Sequence, residues 1–315
     1  MSKYRNHLPQ LREQLVMLDA GMETYLVFHE GIELPAFASC TLLDSAEGRA
    51  RLQHWYMRFI ALAAAHQLPL VLEAPTWRAN PDWGPQLGYD AAALERLNRA
   101  GIELLEGLRQ AHEVPGREIV IAGVVGPRGD GYVVDRRMSA AVAADYHRAQ
   151  LAVFADSAAD MAAGYTLNYV EEGMGIALAA KDGDLPVALS FTLETDGKLP
   201  SGQPLGEAIE QCDRLTGSYP AYYMINCAHP EHFQDQLRGG EAWVQRIRGL
   251  RANASRLSHA ELDSCTELDV GDPLDLAQHY RQLRQWLPQL SVVGGCCGTD
   301  HRHVGAICAA ISEAA

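Results

Sequence analysis

Eight short apolar runs punctuate the chain, at residues 16–21, 70–76, 119–127, 161–167, 186–192, 222–227, 246–255 and 291–298. Several are nearly continuous in Val, Ile, Leu and Ala, the pattern of strands covered on both faces. The run 161–167 is the weakest, because its composition also suits a helix. Segments with apolar residues at helical spacing lie between the runs. Residues 44–67 place Ala46, Ala50, Trp55, Phe59 and Leu62 on one face, and residues 90–111 do the same with Leu94, Leu97, Ile102, Leu105 and Leu108. Ser139 is placed to cap an Ala-rich helix through residue 159. Further helices fit 171–181, 205–215, 231–237, 274–287 and 301–314. Eight strand–helix alternations predict a closed (β/α)₈ barrel, a TIM barrel, as one domain over residues 1–315; a doubly wound open sheet is the competing architecture.

Composition narrows the class. The chain has 315 residues, 48% apolar and 21% charged, with 26 Lys plus Arg against 40 Asp plus Glu and a formal net charge of −14. That balance speaks against nucleic-acid binding and against docking on anionic lipid. No apolar run reaches the roughly 18 residues of a membrane span, and the N-terminus lacks the pattern of a secretory signal. The seven cysteines, an odd number, do not form a disulfide framework and are expected to be reduced in a cytoplasmic enzyme.

Three of those cysteines stand at strand ends. Cys227 closes the sixth run in Asn226-Cys227-Ala228-His229, and Cys296 and Cys297 close the eighth in Gly294-Gly295-Cys296-Cys297-Gly298-Thr299. In a barrel both ends open onto one mouth, so three thiolates can converge on a soft metal such as zinc, leaving a fourth position open. Cys40, Cys212, Cys265 and Cys308 share no such context and read as packing residues. His229-Pro230-Glu231-His232 lacks the His-Glu-x-x-His spacing, and Gly126-Pro127-Arg128-Gly129-Asp130-Gly131 is neither a dinucleotide fingerprint nor a P-loop.

With these motifs the sequence resembles the homocysteine S-methyltransferase family of zinc-dependent barrels. The matching pieces run in order: Leu18-Asp19-Ala20-Gly21-Met22-Glu23-Thr24, Val125-Gly126-Pro127, Ser190-Phe191-Thr192, Asp196-Gly197, Asn226-Cys227 and the Gly-Gly-Cys-Cys-Gly-Thr segment. The resemblance implies zinc (Zn²⁺) held by Cys227, Cys296 and Cys297, with homocysteine sulfur taking the open position and a methyl group transferred to it. S-methylmethionine is the expected donor, with betaine and S-adenosylmethionine as alternatives. The length leaves no room for the folate and cobalamin modules of a multidomain methionine synthase. The remaining alternatives are transfer to another thiol or selenol, and a zinc- or thiol-ligand-binding barrel without turnover. The oligomeric state stays open.

The chain departs from the family pattern where an acid is expected to hold the homocysteine ammonium: Tyr165-Thr166-Leu167 stands where the family has Glu-Thr-Leu. Glu23 and Glu73 are the acids able to compensate, since a buried ammonium needs an acidic partner. The candidate substrate contacts are therefore Asp19, Glu23, Thr24, Glu73, Trp77, Tyr165, Asn226 and Asn253. Trp77 and Trp83, joined by Tyr165, can offer aromatic faces to a cationic donor. Arg78 and Arg128 can grip a carboxylate.

Overall fold

Strands that are apolar on both faces need cover on both, and alternating helices supply it. The computed structural model describes residues 1–312. Its strands are β1 (Val16–Met17), β2 (Leu70–Glu73), β3 (Ile119–Val125), β4 (Met161–Leu167), β5 (Val187–Phe191), β6 (Tyr222–Asn226), β7 (Ile247–Ala252) and β8 (Val292–Gly295). They close in sequence order into a parallel barrel, with β8 returning to β1 through Val16↔Val292 and Met17↔Val293. The open-sheet alternative is thereby excluded.

The helices are α1 (Met22–Phe28), α2 (Ala46–His66), α3 (Ala91–His112), α4 (Ala140–Ala155), α5 (Val170–Asp182), α6 (Leu205–Thr216), α7 (His259–Asp263), α8 (Pro273–Trp286) and α9 (His301–Ser312). Side-chain caps fix several starts. Ser45, Asp90 and Ser139 accept from the backbone N–H three residues on, at 2.9, 2.8 and 3.3 Å.

Strand side chains alternate between two cores. Val16, Leu18, Val71, Val120, Ala122, Met161, Ala163, Tyr165, Ala188, Tyr222, Met224 and Val292 pack together inside the barrel. Their neighbours, such as Met17, Leu70, Leu72, Ile121, Ala162, Leu189, Tyr223 and Val293, pack outward under the helices. The same parity carries Glu73, Asn226 and Arg251 to the inner face at the C-terminal ends of their strands.

The expected boundaries differ from the observed ones in an instructive way. All strands but β4 stop one to four residues before the apolar run ends, because the chain leaves the sheet there to build the mouth. No α-helix forms over 231–237; instead two 3₁₀ segments, Pro230–His232 and Gln234–Arg238, flank Phe233, whose φ of −136° breaks the helical path. The short helices α1 and α7 were not expected. The last two positions of the expected helix 301–314 lie outside the described residues.

Close approach of β1 and β8 has a sharp requirement at Gly21, where an added Cβ would lie 2.3 Å from the Cys296 carbonyl oxygen. Gly21→Ala must therefore push the 296–298 loop away. We expect a loss of about 1–3 kcal/mol in chemical denaturation. Unchanged stability would mean that the two loops are not in this contact.

Candidate metal centre

Cys227, Cys296 and Cys297 meet at the barrel mouth, with sulfur atoms all within 4.8 Å of one another. Backbone geometry brings them there. Cys227 follows β6 with φ of 53°, and Thr166, near the end of β4, has φ of 59°. A left-handed conformation is costly for a non-glycine residue and especially for a β-branched one, so the surroundings must impose it. Asn226 does so. Its Oδ1 accepts from the Thr166 N–H at 3.0 Å and the Ser190 hydroxyl at 2.7 Å, while its Nδ2 donates to Thr166 Oγ1 at 3.0 Å and Cys227 Sγ at 3.2 Å.

The paired cysteines of the last loop are braced in the same manner. The Cys296 N–H donates to Ala252 O at 2.8 Å, and the Cys297 N–H donates to Asn253 Oδ1 at 3.1 Å. Thr24 Oγ1 accepts from the Gly298 N–H at 3.3 Å. Thr24, Asn226 and Asn253, expected as substrate contacts, thus hold the cysteine loops in place.

The sulfurs of Cys227 and Cys296 are in contact, their Cα atoms 5.5 Å apart, with Cys297 beside them. The two strand ends bring these sulfurs into contact. Metal binding by the trio requires the pair reduced, since thiolate is the ligand form. The donor set suits a soft metal: three sulfurs and no carboxylate or imidazole among them. Burial pushes the Cys297 thiol up to about 11, so its ionisation near neutral pH needs a cation beside it.

Beneath the cysteines lies a buried charge network. The Arg251 Nη2 donates to Asp19 Oδ1 and to Ala20 O, both at 2.8 Å, its Nε donates to Gly295 O at 2.9 Å, and its Nη1 is paired with Glu73. Asp19 also accepts from Trp55 Nε1 at 2.9 Å, and Glu73 from the Tyr165 hydroxyl at 2.5 Å. Burial pushes Glu73 up to about 7, with Arg251 pulling it back down. Asp19 and Glu73 are therefore already matched by a cation. Glu23 is not: its one side-chain hydrogen bond is from the Ser39 hydroxyl at 2.7 Å, and no cation pairs with it among the described residues. Burial raises its pKa as well.

A loop roofs the site. After β3, the Tyr132 hydroxyl lies beside Cys297 and its ring packs 4.4 Å from that of His259, whose Nε2 is 2.6 Å from Cys227 O. Trp77 and Trp83 are both half-buried. The Arg78 guanidinium sits between them, its carbon 4.0 and 3.7 Å from the two ring centres. Sequence reasoning missed Arg251, Tyr132, His259 and the bent Thr166. The one available signal was Glu73, an acid in an apolar strand that had to have a partner.

A second cluster, His229, Glu231 and His279, also brings three ligand atoms within 4.8 Å. His229 Nδ1 accepts from the Glu231 N–H at 3.3 Å, so the neutral ring carries its proton on Nε2 and offers no lone pair there. Glu231 is meanwhile paired with Arg256 at 3.0 Å.

Replacing Arg251 by Met leaves Asp19 and Glu73 buried without their cation. We expect a loss of about 3–5 kcal/mol in urea denaturation, partly recovered by adding Glu73→Gln. A loss below about 1 kcal/mol would show that the pairing contributes no stability.

Comparison with known proteins places these observations. The family model described as homocysteine S-methyltransferase matches residues 16–311. No curated protein matches the chain. Among solved structures, the homocysteine methyltransferase MmuM from Escherichia coli is similar in its metallated form, at 20% identity and a TM-score of 0.71 over 98% of this chain and 99% of that one. Its oxidized form is similar at 21% identity and a TM-score of 0.74 over the same shares. At such identity the likeness is one of fold. The family match, running from the first strand into the last helix, establishes that the chain belongs to the homocysteine S-methyltransferase family, enzymes that move a methyl group to homocysteine.

Proposed function

We propose that residues 1–315 form one barrel domain that binds zinc through Cys227, Cys296 and Cys297 and methylates homocysteine from a small sulfonium donor, S-methylmethionine, yielding methionine. The observation that carries this reading is the convergence of three cysteine sulfurs within 4.8 Å at the barrel mouth. Zinc bound there lowers the pKa of an added thiol, so that the acceptor is a thiolate near neutral pH. The reaction itself is an in-line displacement: the acceptor sulfur gains the methyl group as the donor's S–CH₃ bond breaks, and the thiol proton leaves to solvent.

The protein's own residues orient and enclose. Asn226, Asn253 and Thr24 fix the cysteine loops, and near-attack placement of both substrates lowers the remaining barrier. Glu23 is the acid that receives the acceptor's ammonium, because Asp19 and Glu73 already face Arg251. The loop from Gly126 to Met138 supports a small donor. It lies over the mouth through Tyr132 and through Gly129, whose carbonyl accepts from Arg78 Nη1 at 3.0 Å, and a bulky donor would have to displace it. A cytoplasmic setting fits the need to keep the trio reduced. No described helix is long and apolar enough to cross a membrane.

One observation favours a second acceptor. Tyr165 occupies the position of the family acid and spends its hydroxyl on Glu73, so the strand β4 contributes no charge to the acceptor. Transfer to a different thiol would follow if that missing charge is not replaced.

Cys296→Ser should lower bound zinc and abolish methyl transfer together, measured by metal analysis and by methionine formation from homocysteine with S-methylmethionine, betaine and S-adenosylmethionine in parallel. Full activity in a zinc-free variant would sink the mechanism. Glu23→Gln should raise the KM for homocysteine about tenfold or more while leaving zinc content unchanged. An unchanged KM would move the ammonium partner elsewhere.

A further inference from the structure

The chain between β7 and α8, residues 253–272, adds one short helix, α7, to the barrel plan. That helix starts at a capping box: the Ser258 hydroxyl accepts from the Glu261 N–H at 3.3 Å, and the Glu261 carboxylate accepts from the Ser258 N–H at 2.8 Å. The box fixes where the next residue, His259, points. Its side chain is 9% exposed and lies against three other loops of the mouth. Nε2 is 2.6 Å from Cys227 O and 3.4 Å from Thr192 Oγ1, and Nδ1 is 3.4 Å from Glu194 Oε1. The ring packs 4.4 Å from that of Tyr132. A carbonyl oxygen only accepts, so Nε2 carries a proton and donates to Cys227 O.

That bond falls on a strained residue of the metal centre. Cys227 holds φ of 53°, and a left-handed residue other than glycine persists only where its surroundings hold the peptide planes on either side. The plane before Cys227 is held by the sheet, through its N–H donating to Arg251 O at 3.1 Å. The plane after it sets ψ and carries the carbonyl. His259 holds that oxygen at short range, whereas Thr192 Oγ1 reaches it only at 3.5 Å. Asn226 bonds to the Cys227 sulfur, which leaves the carbonyl direction to His259. We propose that His259 is a positioning residue for the metal centre: its Nε2–H fixes the backbone turn that aims the Cys227 thiolate at the other two sulfurs. This rests on the zinc-binding reading above and deepens it, giving the excursion after β7 the task of shaping one ligand. Removing a hydrogen bond that orients a ligand residue commonly weakens metal binding about 10- to 100-fold.

The test uses the full-length, reduced enzyme and variants that separate the two contacts of the ring. His259→Phe keeps a ring against Tyr132 and loses the donor; His259→Gln keeps a donor near the place of Nε2 and loses the ring. Zinc affinity is measured by chelator competition. Cobalt(II) then replaces zinc, giving a sulfur-to-metal charge-transfer band whose intensity follows the number of thiolates bound. His259→Phe should weaken zinc about 10- to 100-fold and lower the cobalt band, while His259→Gln should stay within about threefold of the unsubstituted enzyme. His259→Asn, whose amide is too short to reach Cys227 O, should behave as the Phe variant does and replaces it should that ring fold poorly. If packing on Tyr132 were the contact that matters, the order would reverse, with Phe tolerated and Gln weakened. That reversal, equal weakening in Phe and Gln, or unchanged zinc affinity without the donor would overturn the assignment. If the unsubstituted enzyme binds neither zinc nor cobalt, the zinc reading fails first and takes this inference with it. That outcome is distinct from metal bound alike by the enzyme and its donor-free variants.

Discussion

The mouth of this barrel depends on one guanidinium. Arg251 reaches from β7 to Asp19 and Ala20 beyond β1, to Glu73 on β2 and to the Gly295 carbonyl at the end of β8. Ladder hydrogen bonding at this seam is sparse, because β1 contributes two residues and β8 four. Charge-assisted hydrogen bonds converging on one side chain tie together four strand ends that the sheet itself joins weakly. Any buried ion of this kind is costly unless nearly every donor and acceptor is used, and here they are. The loops carrying Cys296 and Cys297 leave directly from this seam, so their placement inherits its rigidity.

The other cysteine is held by a different device. Cys227 and Thr166 both adopt left-handed backbone conformations, and Asn226 bonds to both of them and to Ser190. Strain concentrated beside a cluster of sulfurs is understandable on geometric grounds. Strand parity turns Asn226 inward and would turn the next residue outward; a left-handed residue at that point redirects the side chain toward the mouth. The three sulfurs meet because one loop bends against preference and another is fastened residue by residue.

The barrel was legible in the sequence because its signal is periodic and local. Runs buried on both faces and the helical spacing between them survive small errors at each boundary. Even 161–167, ambiguous by composition, forms β4 at those limits. The cysteine cluster was legible because strand ends of one barrel share one mouth. Arg251 was not, since its partners lie 232 and 178 residues away in sequence and an arginine within an apolar run signals no particular partner. Glu73 held half of the clue. The expectation of a helix at 231–237 failed because apolar spacing over so short a stretch says little about whether φ stays helical at Phe233. Trp77 and Trp83, expected to offer faces to a cationic donor, each lie against the Arg78 guanidinium.

Charge at the mouth separates into two kinds. Asp19, Glu73 and Arg251 are matched among themselves, and Arg128 is matched by Asp82. A group whose field is already answered has little left for a ligand, because a competing ion would have to displace a partner held in low dielectric. Glu23 has no cation at ion-pair distance among the described residues, and Arg78 lies in the field of Asp130 and Glu23 without an ion pair. Tyr165, which stands on β4 where the family has an acid, belongs to the matched set, because its hydroxyl donates to Glu73.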